Sequence, residues 1–327
     1  MELFFLRLWY EKKISLISFA LLPVACGFWL VSQLRKFIYT KLIKPKSTRV
    51  PIIVVGNITL GGVGKTPLVA AIYQRLLHEG YKPAIISRGY GRTTKDTRLV
   101  DAYATSQLVG DEPLMLYQML QCPIAVAIKR TDGIDLIYQR HPEVNIIISD
   151  DGLQHYKLNR DIEIAVIDAK RQLGNGLIFP AGPLREPKAR LNQVDFIIYN
   201  GKPDKVVVDT YTVMMLKPSK IINMKTNQFY QASDLIADTV YAVAGIGNPK
   251  RFFDTLTSMG YNVIEKPYPD HYQYQKKDLN YTPAFPIIMT AKDAVKCYSL
   301  ANEHSWYLTV EASINQLFFS KLLEKLN

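Results

Sequence analysis

Cysteine is scarce, with Cys26, Cys122 and Cys297 the only three in 327 residues. Residues so far apart form neither a disulfide framework nor a zinc site, and a reducing compartment is the simplest reading. Cys122 and Cys297 read as small apolar residues. No zinc knuckle, aromatic RNA-binding pair or basic recognition helix is present, which ranks nucleic acid low as a partner. The guanine-selecting pattern N/T-K-x-D is missing, because Lys292 and Asp293 are adjacent in Thr290-Ala291-Lys292-Asp293. That lowers a GTPase reading. Gly245-x-Gly247 is too short to claim a dinucleotide-binding turn. Negative charge is in the minority: the net charge is +11 and 48% of residues are hydrophobic. The composition is globular, and the charge points to an anionic partner, either an acidic membrane surface or a phosphorylated substrate.

The strongest local signal is Gly56-Asn57-Ile58-Thr59-Leu60-Gly61-Gly62-Val63-Gly64-Lys65-Thr66-Pro67. An apolar run, 51–55, leads in, and an amphipathic run, 68–77, leads out. This is the strand, glycine-rich loop and helix of a phosphate-binding P-loop. The cofactor-binding set is Thr59, Gly61, Gly62, Val63, Gly64, Lys65 and Thr66. Backbone N–H groups and the helix N-terminus would face anionic oxygens, Lys65 would reach the β- and γ-phosphates, and the Thr66 hydroxyl would bind Mg²⁺. The strict pattern wants glycine at position 59, where this chain has threonine.

The body after Pro45 alternates apolar strand-like runs (52–55, 83–87, 123–128, 145–149, 163–167, 196–199) with helical ones. Such alternation predicts a mostly parallel sheet with helices on both faces, and ligands at the carboxyl ends of its strands. The run 145–149 ends in Asp150-Asp151. A strand ending in Asp is what Mg²⁺ opposite a P-loop requires, directly or through water. Since adjacent carboxylates do not point the same way, one is expected on the metal and the other in a structural or substrate-contacting role. Gln154 and His155 follow on the same rim. Arg88 lies in the glycine-rich turn Ser87-Arg88-Gly89-Tyr90-Gly91-Arg92, and Arg185 in the proline-punctuated loop 180–187. Each reads either as an anion contact or as a surface arginine. Asp111 in Gly110-Asp111-Glu112-Pro113 reads either as a helix cap or as a carboxylate aimed at the nucleotide cleft. Asp270-His271 can tune a proton acceptor. From residue 206 a pair of linker strands or a hairpin is expected, followed by a second, smaller α/β unit and a closing helix over 314–326.

At the N-terminus, residues 14–31 carry no charge and are about as long as the minimum needed to cross a bilayer. Arg7, Lys12 and Lys13 precede them, and Arg35, Lys36, Lys41, Lys44, Lys46 and Arg49 follow. The heavier positive flank keeps the body cytoplasmic. Trp9, Tyr10, Trp29 and Tyr39 suit the headgroup region. A cleaved signal peptide would carry the P-loop away from ATP, and no small-residue cleavage site stands out. A faint lipoprotein-like site at 23–26 meets the same objection. Pro23 and Gly27 leave open whether the segment spans the bilayer or dips into its interface. The expected division is residues 1–43 as a membrane-associated helix, 44–205 as a nucleotide-binding domain, and 206–327 as linker strands with a smaller C-terminal domain.

GNITLGGVGKTP, SRGYGR, GDEP, DDGLQH, PAGPLREP, GIGNP, PDHY and TAKDAVK, in this order behind a hydrophobic N-terminal segment, resemble the tetraacyldisaccharide 4′-kinases of lipid A synthesis over nearly the whole chain. Thr59 is shared with that family's P-loop, whereas Ala291 departs from it, the family commonly carrying glutamate. The resemblance implies a P-loop kinase of two α/β domains. It would move the γ-phosphoryl of ATP to the 4′-hydroxyl of a lipid A disaccharide 1-phosphate precursor, giving lipid IVA at the cytoplasmic face of the inner membrane. It implies Asp111 as catalytic base supported by His271, Lys65 and Thr66 on phosphates and Mg²⁺, Asp151 ahead of Asp150 on the metal, and Arg185 with Arg130 on the acceptor's anionic part. The competing expectation is a membrane-tethered P-loop ATPase that acts as a switch or energises transport.

Overall fold

The computed structural model describes residue 5 and residues 8–10, 14–43 and 48–326. Arg7, Lys12, Lys13, Lys44 and Lys46, part of the charge expected around the N-terminal segment, lie outside the described residues. In chain order the strands are β1 (Ile52–Gly56), β2 (Pro83–Ser87), β3 (Arg98–Leu99), β4 (Ile124–Val126), β5 (Ile146–Asp150), β6 (Ile162–Asp168), β7 (Phe196–Asn200), β8 (Thr212–Asn223), β9 (Phe229–Gln231), β10 (Thr239–Ala244), β11 (Asn262–Pro267), β12 (Ile287–Thr290) and β13 (Ser305–Ile314). They form one sheet in the order β11-β10-β12-β13-β8-β7-β6-β1-β5-β2-β4-β3, with β9 added to β8. β1 lies parallel between β5 and β6. Most pairings are parallel, and β3–β4, β8–β9 and β8–β13 are antiparallel.

Strands covered on both faces need apolar side chains at every position rather than at alternate ones. β1 shows this, since all five of its residues are buried. Ile53 and Val55 pack on one face with Leu68, Val69 and Ile72 of the helix Lys65–His78. Ile52 and Val54 pack on the other with Ile134 and Ile137 of the helix Arg130–Arg140. Each such side chain taken from water contributes roughly 1.5–3 kcal/mol. β10 repeats the arrangement: Val240, Ala242 and Ala244 face the helix Pro249–Ser258, and Tyr241 and Val243 face the opposite cluster.

One local expectation is corrected. Residues 206–224 do not form a hairpin or paired linker strands. Instead, one 12-residue strand, β8, pairs parallel with β7 at its start and antiparallel with β13 along most of its length. It thereby has β7 on one edge and β13 on the other, and it welds the two halves into one sheet. The closing helix, Gln316–Glu324, sends Phe318, Phe319 and Leu322 back into the core of the P-loop half.

The N-terminal apolar run is split. Ser15 caps a short helix, Leu16–Ala20, and Leu21 joins it to Leu22–Phe37, which carries Pro23 in its first turn. Among the described residues no helix is long and apolar enough to cross a membrane. Leu22–Phe37 does leave Val24, Leu30, Val31, Leu34 and Phe37 exposed. Trp9 and Tyr10 are engaged by protein rather than held for headgroups. Trp9 Nε1 donates to Pro180 O at 3.0 Å, and Tyr10 Oη to Leu60 O at 3.2 Å. This ties the segment to the P-loop and to the 180–187 loop.

Candidate active site

The P-loop links β1 to the helix Lys65–His78 at the middle of the sheet. Gly61 and Gly64 take positive φ (94° and 85°), the region that strains other residues. Thr59 does not, so the residue missing from the strict motif is not needed there. Thr59 is buried, and Asn57 Nδ2 donates to its carbonyl at 2.7 Å and to its hydroxyl at 3.2 Å. Asn200, at the end of β7, occupies the space a side chain at position 64 would need, and donates to Val63 O at 2.9 Å. Arg251 holds Asn200 in turn (2.8 Å). Arg171 donates to the carbonyls of Gly62 and Gly247, so one guanidinium bridges the P-loop and the GIGNP loop. None of these three was singled out in the sequence. Asn200 carried a usable signal, being polar at a strand's carboxyl end, whereas the two arginines carried none.

Lys65, at the helix start, donates to Asn57 Oδ1 (3.1 Å) and pairs with Asp151 (3.3 Å). Arg185 reaches the same carboxylate at 3.1 Å and Gln154 Oε1 at 3.4 Å, while Gln154 Nε2 donates to Asn57 O. Burial alone would raise the Asp151 carboxyl, but Lys65 and Arg185 outweigh it and hold it well below the ordinary carboxylate range. Its neighbour behaves oppositely. Asp150 is buried and accepts from Ser87 Oγ on Oδ2, and its Oδ1 has no partner. Burial first, then the Glu112 and Asp151 carboxylates, push its carboxyl upward.

Arg130 is buried, and its two Nη atoms donate to Ala127 O (2.9 Å) and Asp150 O (3.3 Å). Burial draws its guanidinium down to about 10. His155 is only partly buried, and burial together with Arg130 and Arg160 lowers its imidazole to about 4. Arg88 is exposed.

Asp111 is buried in the first turn of the helix Asp111–Leu120. Its Oδ2 lies 2.9 Å from His271 Nδ1, although 160 positions separate the two in sequence. Tyr90 of the SRGYGR turn packs beside His271, ring centroids 5.1 Å apart and planes tilted by 57°. A side chain at Gly110 would collide with the backbone of Gly89 and Tyr90, so glycine there lets the two loops close on each other. Asp151 (φ 48°) and His271 (φ 59°) both hold the left-handed conformation, which costs an L-residue roughly 1–2 kcal/mol. A cavity of about 230 Å³ is walled by 62–67 of the P-loop, Glu112, Asn200, 246–248, Arg251, Asp270 and Lys292.

Among the described residues no three His, Cys, Asp or Glu side chains form a self-contained metal cage. A P-loop site does not require one, since phosphates and water supply most of the oxygens around Mg²⁺. The Thr66 hydroxyl and the unpartnered Asp150 Oδ1 are hard oxygen donors of the kind that ion takes, and the glycine-lined loop at a helix N-terminus fits a triphosphate.

Fold and cleft together define a P-loop phosphotransferase. The family model for tetraacyldisaccharide-1-P 4′-kinase matches residues 17–327. The tetraacyldisaccharide 4′-kinase of Legionella pneumophila (strain Corby) is 44% identical over 98% of this chain and 96% of its own length. That of Methylobacillus flagellatus is 43% identical over 93% and 90%. A crystal structure of LpxK from Aquifex aeolicus in complex with ATP superposes with a TM-score of 0.80 at 26% identity, covering 95% of this chain and 99% of that one. The chain belongs to the tetraacyldisaccharide 4′-kinase family.

Proposed function

We propose that this chain transfers the γ-phosphoryl of ATP to the 4′-hydroxyl of tetraacyldisaccharide 1-phosphate, with Asp111 as the group that accepts the hydroxyl proton. The observation that carries this is the 2.9 Å Asp111–His271 pair, whose chain neighbours Glu112 and Asp270 line the P-loop cavity. Phosphoryl transfer asks for positioned phosphates, neutralised charge and one acceptor for the nucleophile's proton. In this reading the P-loop amides and Lys65 hold the phosphates, while His271 orients Asp111 and keeps its carboxylate hydrogen-bonded. Thr66, Asp150 and Asp151 hold Mg²⁺, which when bound neutralises phosphate charge. Arg185 and Gln154, joined to each other and to the P-loop side at Asp151 and Asn57, face the anionic acceptor together with Arg88 and His155. Arg130 serves by buttressing Asp150. Residues 44–205 supply the nucleotide side, and 206–327 supply His271 and the cavity's far wall.

The acyl chains place the acceptor in a membrane. The exposed apolar stripe of the helix Leu22–Phe37 suits contact with that membrane's interface, with the body on the cytoplasmic face of the inner membrane. The deciding experiment incubates the purified protein with ATP, Mg²⁺ and tetraacyldisaccharide 1-phosphate. A bisphosphorylated lipid is expected. ATP hydrolysis that ignores the acceptor and yields no such lipid would instead favour a tethered ATPase switch.

A further inference from the structure

The short helix Ala291–Cys297 follows β12 and lies against the Asp111–His271 pair. Its Lys292 is mostly buried, with Nζ 3.0 Å from Asp270 Oδ1, 3.3 Å from Glu112 Oε1 and 3.3 Å from His271 Nε2. Burial alone would lower this ammonium, but the Glu112 and Asp270 carboxylates more than reverse that, and it stays charged. One turn on, Lys296 is almost fully buried against Asp293 (2.9 Å), with Asp111 Oδ2 at 3.9 Å. The pair is therefore flanked by two cations from one helix.

An ammonium carries donors and no lone pair. The ring nitrogen facing it must be an acceptor, since an N–H there would set two donors, and in the imidazolium two positive charges, against each other. His271 Nε2 faces Lys292, so the ring proton belongs on Nδ1, which faces Asp111 Oδ2. We propose that Lys292 is a positioning residue for phosphoryl transfer: it fixes His271 in the Nδ1-protonated tautomer and so aims the imidazole N–H at Asp111. This rests on the reading of Asp111 as proton acceptor. It also gives His271 one task, because a Nε2 lone pair engaged by Lys292 is not available to take the acceptor's proton. Asp111 receives that proton, and His271 holds Asp111 in place.

The experiment is ring ¹⁵N NMR at neutral pH on full-length, histidine-labelled protein, with His271 assigned by its loss in His271→Gln. Native protein, Lys292→Met, Lys292→Gln and Lys292→Arg are compared, and turnover is measured alongside. Native His271 is expected as the Nδ1–H tautomer. Lys292→Gln, whose amide oxygen can accept from Nε2–H, is expected to admit the other tautomer. So is Lys292→Met, and Lys292→Arg, again donor-only, should restore the native signal. Turnover should fall about 10–100-fold in the Met and Gln variants, with KM for ATP changed less than about 3-fold, the scale seen for residues acting through an orienting hydrogen bond. A native Nε2–H tautomer, or a tautomer unmoved in the Gln and Met variants, overturns the role of Lys292 and leaves Asp111 to its own test. A moved tautomer with undiminished turnover also overturns Lys292 as a positioning residue, and Asp111 again stands or falls by the Asp111→Ala kinetics.

Discussion

His271 Nδ1 and Asp111 Oδ2 meet at 2.9 Å, the histidine from a loop after β11 and the aspartate from the first turn of the helix after Gly110. A side chain that only caps a helix would turn to its own backbone N–H groups, whereas this carboxylate turns away to a distant imidazole. Asp111→Ala is therefore expected to lower kcat by about 10²–10⁴-fold, the usual scale for general acid–base work, with little change in KM for ATP. Steady-state kinetics decide it. Near-normal turnover would return Asp111 to a capping role.

Opposite substitutions at two P-loop positions are both expected to destabilise. Gly64→Ala places a side chain at φ 85° and against Asn200, endangering the Asn200–Val63 bond, and should cost about 1–3 kcal/mol along with ATP affinity. Thr59→Gly restores the strict motif yet should also destabilise, by about 1–2 kcal/mol. It frees the unfolded chain and removes a buried hydroxyl bonded to Asn57. Thermal melting of both variants checks this. A Thr59→Gly protein more stable than the native one would mean the loop is strained at that residue.

Lys65 and Arg185 share Asp151. Lys65→Ala should impair ATP use, by about 10²-fold or more in kcat/KM, as expected when a phosphate-side charge is lost. Arg185→Ala should act chiefly on the lipid acceptor's KM. Equal effects of both variants on ATP alone would move Arg185 to the nucleotide side.

His155 sets a pH dependence of stability. Burial with Arg130 and Arg160 lowers its imidazole from 6.5 to about 4 in the folded protein. Between those values the unfolded chain binds a proton that the folded one does not, so unfolding gains as pH drops. The contribution is fully present above about pH 6.5 and is lost as pH falls through about 4. Melting curves of native protein and His155→Gln should converge as pH is lowered across that window. Parallel curves would remove His155 as the cause.

The apolar stripe gives the membrane test. Leu30, Val31 and Leu34 are 55%, 68% and 60% exposed on one helix. Changing all three to Asp should abolish co-sedimentation with anionic vesicles while turnover on detergent-solubilised acceptor is retained. Undiminished vesicle binding would place the anchoring surface elsewhere.

Sequence alone determined the features whose physics is local. Unbroken apolar runs marked β1, β2, β5 and β7, since strands buried on both faces cannot alternate. The turn from β1 into G-K-T marked the phosphate loop, and the aspartates ending β5 marked the carboxylates proposed for Mg²⁺. The motif order carried the family, and only through that resemblance were Asp111 and His271 linked, because no spacing of 160 positions announces a contact. Tertiary structure decided the rest. β8 became one long strand because partners waited on both its edges, β7 and β13. Trp9 and Tyr10 turned to Pro180 and Leu60 because those carbonyls lay within reach. Asn200, Arg171 and Arg251 joined the P-loop, and Lys292 came to face His271, through side chains set by how the two halves of one sheet pack. Such contacts depend on distances between elements far apart in the chain, and no local periodicity records them.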